Sequence, residues 1–324
     1  PSTNTPTVGS IDGMEEFIAV TELLQLRSAT GVETRTFNSK YADKEIDSPG
    51  EPGISYVSGT GFTHIPEGVN ADFLKNLKNT AHVRNKNLIS RINAHLAGIA
   101  IDYEQDVLTM TPAGNATERH IMKAYIIKSK QVFSDAATLE KFWSHVLEVP
   151  SKELLTPSST VVFENKVRSR LAKKGGLGYE QPTSKSFPGT EEVFQWMKNC
   201  GAIPLESWLD GTSEGEANPE KYLEDSLNAG AVALNIIPDR NWNVKESHQQ
   251  KQKYNNLQRI IQAANRMRIP VMIGTELNKT GQPLWDDLSN PFLKPFAQTF
   301  ISGANVIIGH VTLARFSNVP YEGE

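Results

Sequence analysis

Glu276 and Asn278 stand two residues apart, just past the short apolar run Ile269-Pro-Val-Met-Ile-Gly274. In an extended strand that spacing turns both side chains to one face. Other runs end in the same way. Gly31-Val-Glu-Thr-Arg35 puts Glu33 and Arg35 on one face, Ala202–Asp210 ends on Asp210, and Ala231–Arg240 ends on the pair Asp239 and Arg240. A last run, Asn305-Val-Ile-Ile-Gly-His310, ends on histidine. Carboxylates, an amide and an imidazole at one rim are donors for a hard or borderline metal ion, which would lower the pKa of a bound water for hydrolysis. The same set can bind a polyol without metal.

Such residues act together only if the chain brings the strand ends to one side. In β/α proteins the carboxyl ends of parallel strands face the ligand while the strand bodies pack in the core. The pattern supplies the alternation. A helix is expected from Asp12 to about Leu26, with Asp12 as N-cap and Glu15 and Glu16 in the first turn. Strands follow near Ser28–Phe37 and Ile54–Phe62, with His64 just beyond the second. From Ala71 to Phe163 the apolar spacing is helical, as in Leu74, Leu77, Ile89, Ile92 and Leu96. The stretch Lys173–Pro188 is rich in Gly, Lys, Pro and Ser and reads as a linker or loop. Beyond it, helices at 190–200, 219–229, 246–267 and 293–302 alternate with the apolar runs, which implies right-handed parallel βαβ units.

The composition limits the function classes. The chain has 324 residues, 38% hydrophobic and 22% charged, enough for a large core. Its net charge of -4 gives no basic field for a nucleic-acid polymer. The single cysteine, Cys200, cannot form an internal disulfide and excludes a thiolate zinc cluster, which fits a reducing, cytoplasmic setting. No uninterrupted run of about 18 apolar residues and no signal pattern is seen, so no membrane partner is expected. The P-loop, the Gly-x-Ser-x-Gly elbow and the His-Glu-x-x-His helix are all missing from the sequence.

Six segments in order resemble the PHP (polymerase and histidinol phosphatase) superfamily. The segment Thr3–Gly13 is similar to the family's Thr-Asp-His-Asp, Gly31-Val-Glu33 to its Gly-Val-Glu, and Tyr56-Val-Ser-Gly59 to its His-x-Leu-Gly. Glu118-Arg-His-Ile-Met-Lys-Ala124 resembles the Arg-Pro-His-Ile-Ala-Arg-Ala helix of phosphoesterases with a helical insertion. Gly201–Trp208 resembles Gly-Gly-Ile-Pro-Val-Leu-Ala-His, and Gly274–Asn278 the late Gly-Ser-Asp-x-His. The departures fall on metal ligands. Thr5 and Pro6 replace His-Asp, Tyr56 and Trp208 replace histidines, and Glu276 and Asn278 replace Asp and His.

The resemblance implies a distorted parallel (β/α)7-type barrel whose first strand would lie before Pro1. Residues 1–70 would form its first part, 71–163 a helical insertion and 164–324 the remainder. It implies a phosphoesterase-like hydrolase acting on a small phosphorylated molecule, with a metal site reduced to one divalent ion at most. Glu33, Glu276 and Asn278 would be ligands of Mn²⁺, Mg²⁺ or Zn²⁺, and an oxygen-rich set favours Mg²⁺, Mn²⁺ or Ca²⁺ over tight zinc. His310, His120 and Asp239 would be catalytic, with Arg35, His64, Asp210 and Arg240 holding substrate. Two alternatives stay open: a barrel that binds a sugar or phosphate without hydrolysing it, and a metal-free lyase or isomerase using Glu276 and His310 as acid and base. A homo-oligomer is compatible with all three.

Overall fold

The structure is a computed structural model that describes residues 13–26, 28–63, 65–96, 98–111, 114–154, 161–275, 283–317 and 319. It divides into two compact units, Pro1–Asn76 with Pro182–Glu324, and Leu77–Gln181.

The first unit is built on a five-stranded sheet in the order β1-β2-β3-β4-β5, with β1 Gly31–Phe37, β2 Ile54–Thr60, β3 Ile203–Trp208, β4 Ala233–Ile236 and β5 Val271–Ile273. The sheet is mixed and open among the described residues, which corrects the expectation of an all-parallel barrel: β2 is antiparallel to both β1 and β3. The cause lies in the connection. The link from β1 to β2 carries only a 3₁₀ turn at Ser39–Tyr41, and without a crossover helix adjacent strands pair antiparallel. The pairs β3–β4 and β4–β5 are parallel, joined by α7 (Pro219–Ala229) and by α8 (Asp239–Trp242) with α9 (Ser247–Arg266). Local sequence sets the α7 ends. The Asn218 side chain accepts from Lys221 N, Pro219 stands in the first turn, and Gly230 closes the helix with a φ of 114°.

One face of the sheet is covered by helices. Val32 and Val57 pack with Val193, Phe194 and Met197 of α6 (Thr190–Asn199), while Leu234, Ile236 and Val271 pack with Leu223 of α7 and Leu257, Ile260 and Ile261 of α9. The opposite face meets α10 (Ala297–Ser317), whose Ile307 and Val311 cover Ile203, Leu205, Ala233 and Met272. The strand expected at Asn305–His310 is therefore the middle of a 21-residue helix. Its buried residues, Phe300, Gly303, Ile307, His310 and Val311, recur at helical spacing, and that burial overrides the β propensity of the Val-Ile-Ile run. By length and composition Lys294–Ala314 is apolar enough to cross a membrane, the single such helix among the described residues.

The second unit is helical, with α3 (Glu118–Val132), α4 (Ala136–Leu147) and α5 (Val161–Ala172) closing on a core that includes Tyr125, Trp143, Phe163 and Leu171. The long helix α2 (Val69–His95) adds Leu88, Ile89 and Ile92 to that core.

Gly303 is where α10 touches β5, since a Cβ there would overlap the Val271 carbonyl oxygen. Gly303→Ala is expected to lower stability by about 1–3 kcal/mol or more through overpacking. Gly309→Ala, with nothing within 4 Å of the added carbon, is expected to be neutral or to stabilise the helix by up to about 1 kcal/mol. Denaturant midpoints of the two variants check this. Equal effects would mean that the helix does not sit on β5 at Gly303.

Candidate functional site

Strand alternation sorts the sheet's polar residues. On β1, Val32 lies against α6 and Thr36 shares a 2.9 Å hydrogen bond with Thr190 of α6, so Glu33 and Arg35 project from the opposite face. Glu33 stands directly across from Ser58, and Arg35 from Tyr56. Ser58 neighbours Leu205, Leu205 neighbours Ala233, and Ser207 neighbours Asn235. This face has two halves. Glu33 and Ser58 share a row with Leu205 and Ala233, which α10 covers, while the next row toward the carboxyl ends of β3 and β4 carries Arg35, Tyr56, Ser207 and Asn235. Ser58 is 1% exposed, and its hydroxyl finds no hydrogen-bond partner among the described residues.

Arg35 is held in place. Its Nη1 donates to both oxygens of Glu51 at 3.1 and 2.9 Å, and its guanidinium lies 4.7 Å from the Phe187 ring centre and 5.9 Å from that of Tyr56. Ser48 donates to Glu51 at 2.7 Å, which keeps the carboxylate aimed. A guanidinium oriented this way is one that stays charged and stacked rather than swinging free.

The other residues expected at the rim are held in different surroundings. Asp210 follows β3, but its Oδ2 pairs with Lys253 of α9 at 2.8 Å and its Oδ1 accepts from Thr212 N at 3.0 Å. Although burial opposes ionisation, Lys253 and Thr212 hold the Asp210 carboxyl below its ordinary value. Asp239 and Arg240 open α8 beyond β4, and Asp239 accepts from Asn243 Nδ2 at 2.9 Å. His310 does not join them. It is 4% exposed on α10, and its Nε2 lies 2.8 Å from Gly61 O and 2.9 Å from Gly201 O, at the amino end of β3. The expected strand-end histidine is thus a helix-borne donor at the opposite edge of the sheet.

His120 belongs to the helical unit. Its Nδ1 accepts from Thr117 N at 3.1 Å at the start of α3, and burial lowers its pKa, which favours the neutral ring such an acceptor needs. Glu276, Asn278 and His64 lie outside the described residues. Among the described residues no three His, Cys, Asp or Glu side chains gather closely enough to hold a metal ion. Glu33 alone of the expected ligands is described, so no ion site can be built from the residues on view.

Four carboxyls went unnoticed in the sequence. Glu206, 2% exposed in mid-β3, accepts from Ser55 Oγ at 2.5 Å, and burial pushes it up to about 8. Asp47, fully enclosed, is raised well above its ordinary value by burial and then by the charges of Glu206 and Glu216, while both its oxygens accept from Tyr56 N at 3.0 Å. Glu216 is pushed up to about 7 by burial. A carboxylate at a core-facing strand position was the available signal for Glu206, because Pro204, Glu206 and Trp208 alternate toward the helix side. Asp286 is raised to about 6 by burial and by Asp239, a proximity that only the tertiary fold creates.

Comparisons with known proteins bear on the fold. The chain is similar in structure to an amidohydrolase from Chromobacterium violaceum solved with bound sulfate and no metal, with a TM-score of 0.57 and 14% identity, over 92% of this chain and 84% of that one. It is also similar to a candidate metal-dependent phosphoesterase from Bifidobacterium adolescentis, with a TM-score of 0.49 and 15% identity, over 89% and 82% of the two chains. No family model and no curated protein sequence matches it. The protein therefore has a mixed α/β fold of the kind found in that amidohydrolase.

Because Glu206, Glu216 and Asp47 have folded pKa values above their unfolded ones, each favours the folded state most when protonated in it. Their contribution is full below the ordinary carboxyl range and is lost as pH rises to about 8. Asp210 and Asp225, with lowered values, contribute stability above that range and lose it only as pH falls through their folded values. Denaturant midpoints are expected to fall between about pH 5 and about pH 9, and Glu206→Gln is expected to flatten much of that slope. A slope unchanged in Glu206→Gln would show that Glu206 is ionised in the folded protein.

Proposed function

We propose that the chain is a PHP-like hydrolase acting on a small phosphorylated molecule, bound on the polar half of the sheet face that α10 leaves uncovered. The observation that carries this reading is the polarity boundary itself. Leu205 and Ala233 give way to Ser207 and Asn235 one alternation further along the same strands, at the carboxyl ends where α/β folds bind ligands. The fold likeness to an amidohydrolase that holds sulfate supports an oxyanion-bearing substrate.

In this arrangement Glu33 is the general base, taking a proton from the attacking water or ligand hydroxyl. Ser207 and Asn235 supply neutral hydrogen bonds that orient the ligand, and Arg35, fixed by Glu51, sets a positive wall beside Glu33.

Hydrolysis of a generic aryl phosphate by wild type, Glu33→Gln and Asn235→Ala tests the reading. Glu33→Gln is expected to lower kcat/KM by about 100-fold or more with an unchanged circular dichroism spectrum. Asn235→Ala is expected to raise KM more than it lowers kcat. Unchanged turnover in Glu33→Gln would remove Glu33 from the chemistry, and phosphate binding without turnover in wild type would make the face a binding pocket.

A further inference from the structure

The loop after β3 holds a carboxylate in an unusual way. Glu216 is 1% exposed and accepts from three successive backbone amides: Leu209 N at 2.6 Å, Asp210 N at 3.1 Å and Gly211 N at 2.8 Å. Successive amides converging on one point form a concave nest that binds anions, the device that phosphate-binding loops use. The nest is built independently of its occupant. Gly211 has a φ of 69°, a conformation that favours glycine, and Asn256 Nδ2 donates to Asp210 O and Gly211 O at 3.0 Å each. Asp210 Oδ1 accepts from Thr212 N at 3.0 Å, and Lys253 pairs with Asp210 Oδ2, so both sides of the turn are tied down.

The occupant is delivered just as firmly. Gly215 N donates to Glu45 O at 2.8 Å, and a Cβ on Gly215 would lie 2.7 Å from that same oxygen, so only glycine brings the chain this close to residues 45–46. Glu216 N donates to Ser213 Oγ at 3.2 Å, which turns the Glu216 side chain back over the nest. The three amides have no second acceptor among these bonds, so without Glu216 they would be buried and unsatisfied.

We propose that Leu209–Gly211 is an oxyanion site at the carboxyl end of β3, filled in this chain by its own Glu216, and that a small carboxylate or comparable oxyanion takes the place when that side chain is removed. The proposal uses none of the residues given a role in hydrolysis, so it stands or falls without the hydrolase reading. A side chain in the nest keeps external anions out of this loop while holding the turn in a ligand-ready shape.

Chemical rescue tests it, with thermal unfolding at about pH 8.5, where Glu216 is ionised, of full-length wild type, Glu216→Ala and Glu216→Gln in formate, acetate or sulfate against sodium chloride of equal ionic strength. Glu216→Ala is expected to unfold several degrees lower than wild type, and formate is expected to raise its midpoint by about 2 °C or more while leaving wild type unchanged. Glu216→Gln, which fills the space but offers one acceptor oxygen, is expected to be destabilised and not rescued. If Glu216→Ala is recovered only as aggregate, refolding yield replaces the midpoint: recovery in formate and not in chloride supports the site, and recovery in neither overturns it. A formate effect equal in all three proteins, or Glu216→Gln as stable as wild type, also overturns it.

Discussion

The seating of α10 on the sheet is the contact on which the rest of the first unit depends. Two features hold it there. Gly303 lets the helix backbone come against Val271 of β5, and the buried His310 bridges Gly61 and Gly201, the turns at the far edge of β2 and β3. One imidazole N–H shared between two carbonyl oxygens requires the proton on Nε2 and satisfies both acceptors in a place with little access to water. Ile307 and Val311 then fall over Ile203, Leu205, Ala233 and Met272, removing that half of the face from solvent.

What α10 covers also defines what it leaves. The strands are too short to bury a uniform apolar face, and their carboxyl halves turn polar where the helix ends its contact. On the other side of the same sheet the pattern is reversed, because α6, α7 and α9 cover it fully and the polar groups there are enclosed. Glu206, Asp47 and Glu216 therefore meet burial rather than water, and each is raised by it. Glu33 and Glu206 are both carboxylates on neighbouring parts of one sheet. Alternation puts Glu33 on the face that meets α10 and Glu206 on the face packed by α6, α7 and α9.

Much of this frame was readable from residue patterns. The runs expected to end at Phe37, Asp210, Arg240 and Gly274 each hold a strand, although the last three strands stop short at Trp208, Ile236 and Ile273 and Asp239 and Arg240 fall in α8; the helices between them are in place, and Glu33 and Arg35 share a face as period-2 spacing requires. The antiparallel β2 was not readable from strand pattern, since direction is set by whether a helix crosses between strands. The Asn305–His310 run misled because Val-Ile-Ile favours strand locally, whereas its burial partners recur every three or four residues. His120 resembled a family ligand in sequence, yet its ring closes the first turn of α3. Glu216 gave no sequence signal at all, because a glutamate in a polar loop becomes an anion for a nest only after the turn has formed.

The claim that ties these observations together is that ligand binds on the polar half of the α10 face, at the carboxyl ends of β1, β3 and β4. Crystals of the full chain soaked in inorganic phosphate test it most directly. The account predicts difference density beside Arg35, Ser207 and Asn235, with Glu33 within hydrogen-bonding reach. Phosphate bound only elsewhere, on the helix-covered face or in the 77–181 unit, would contradict it.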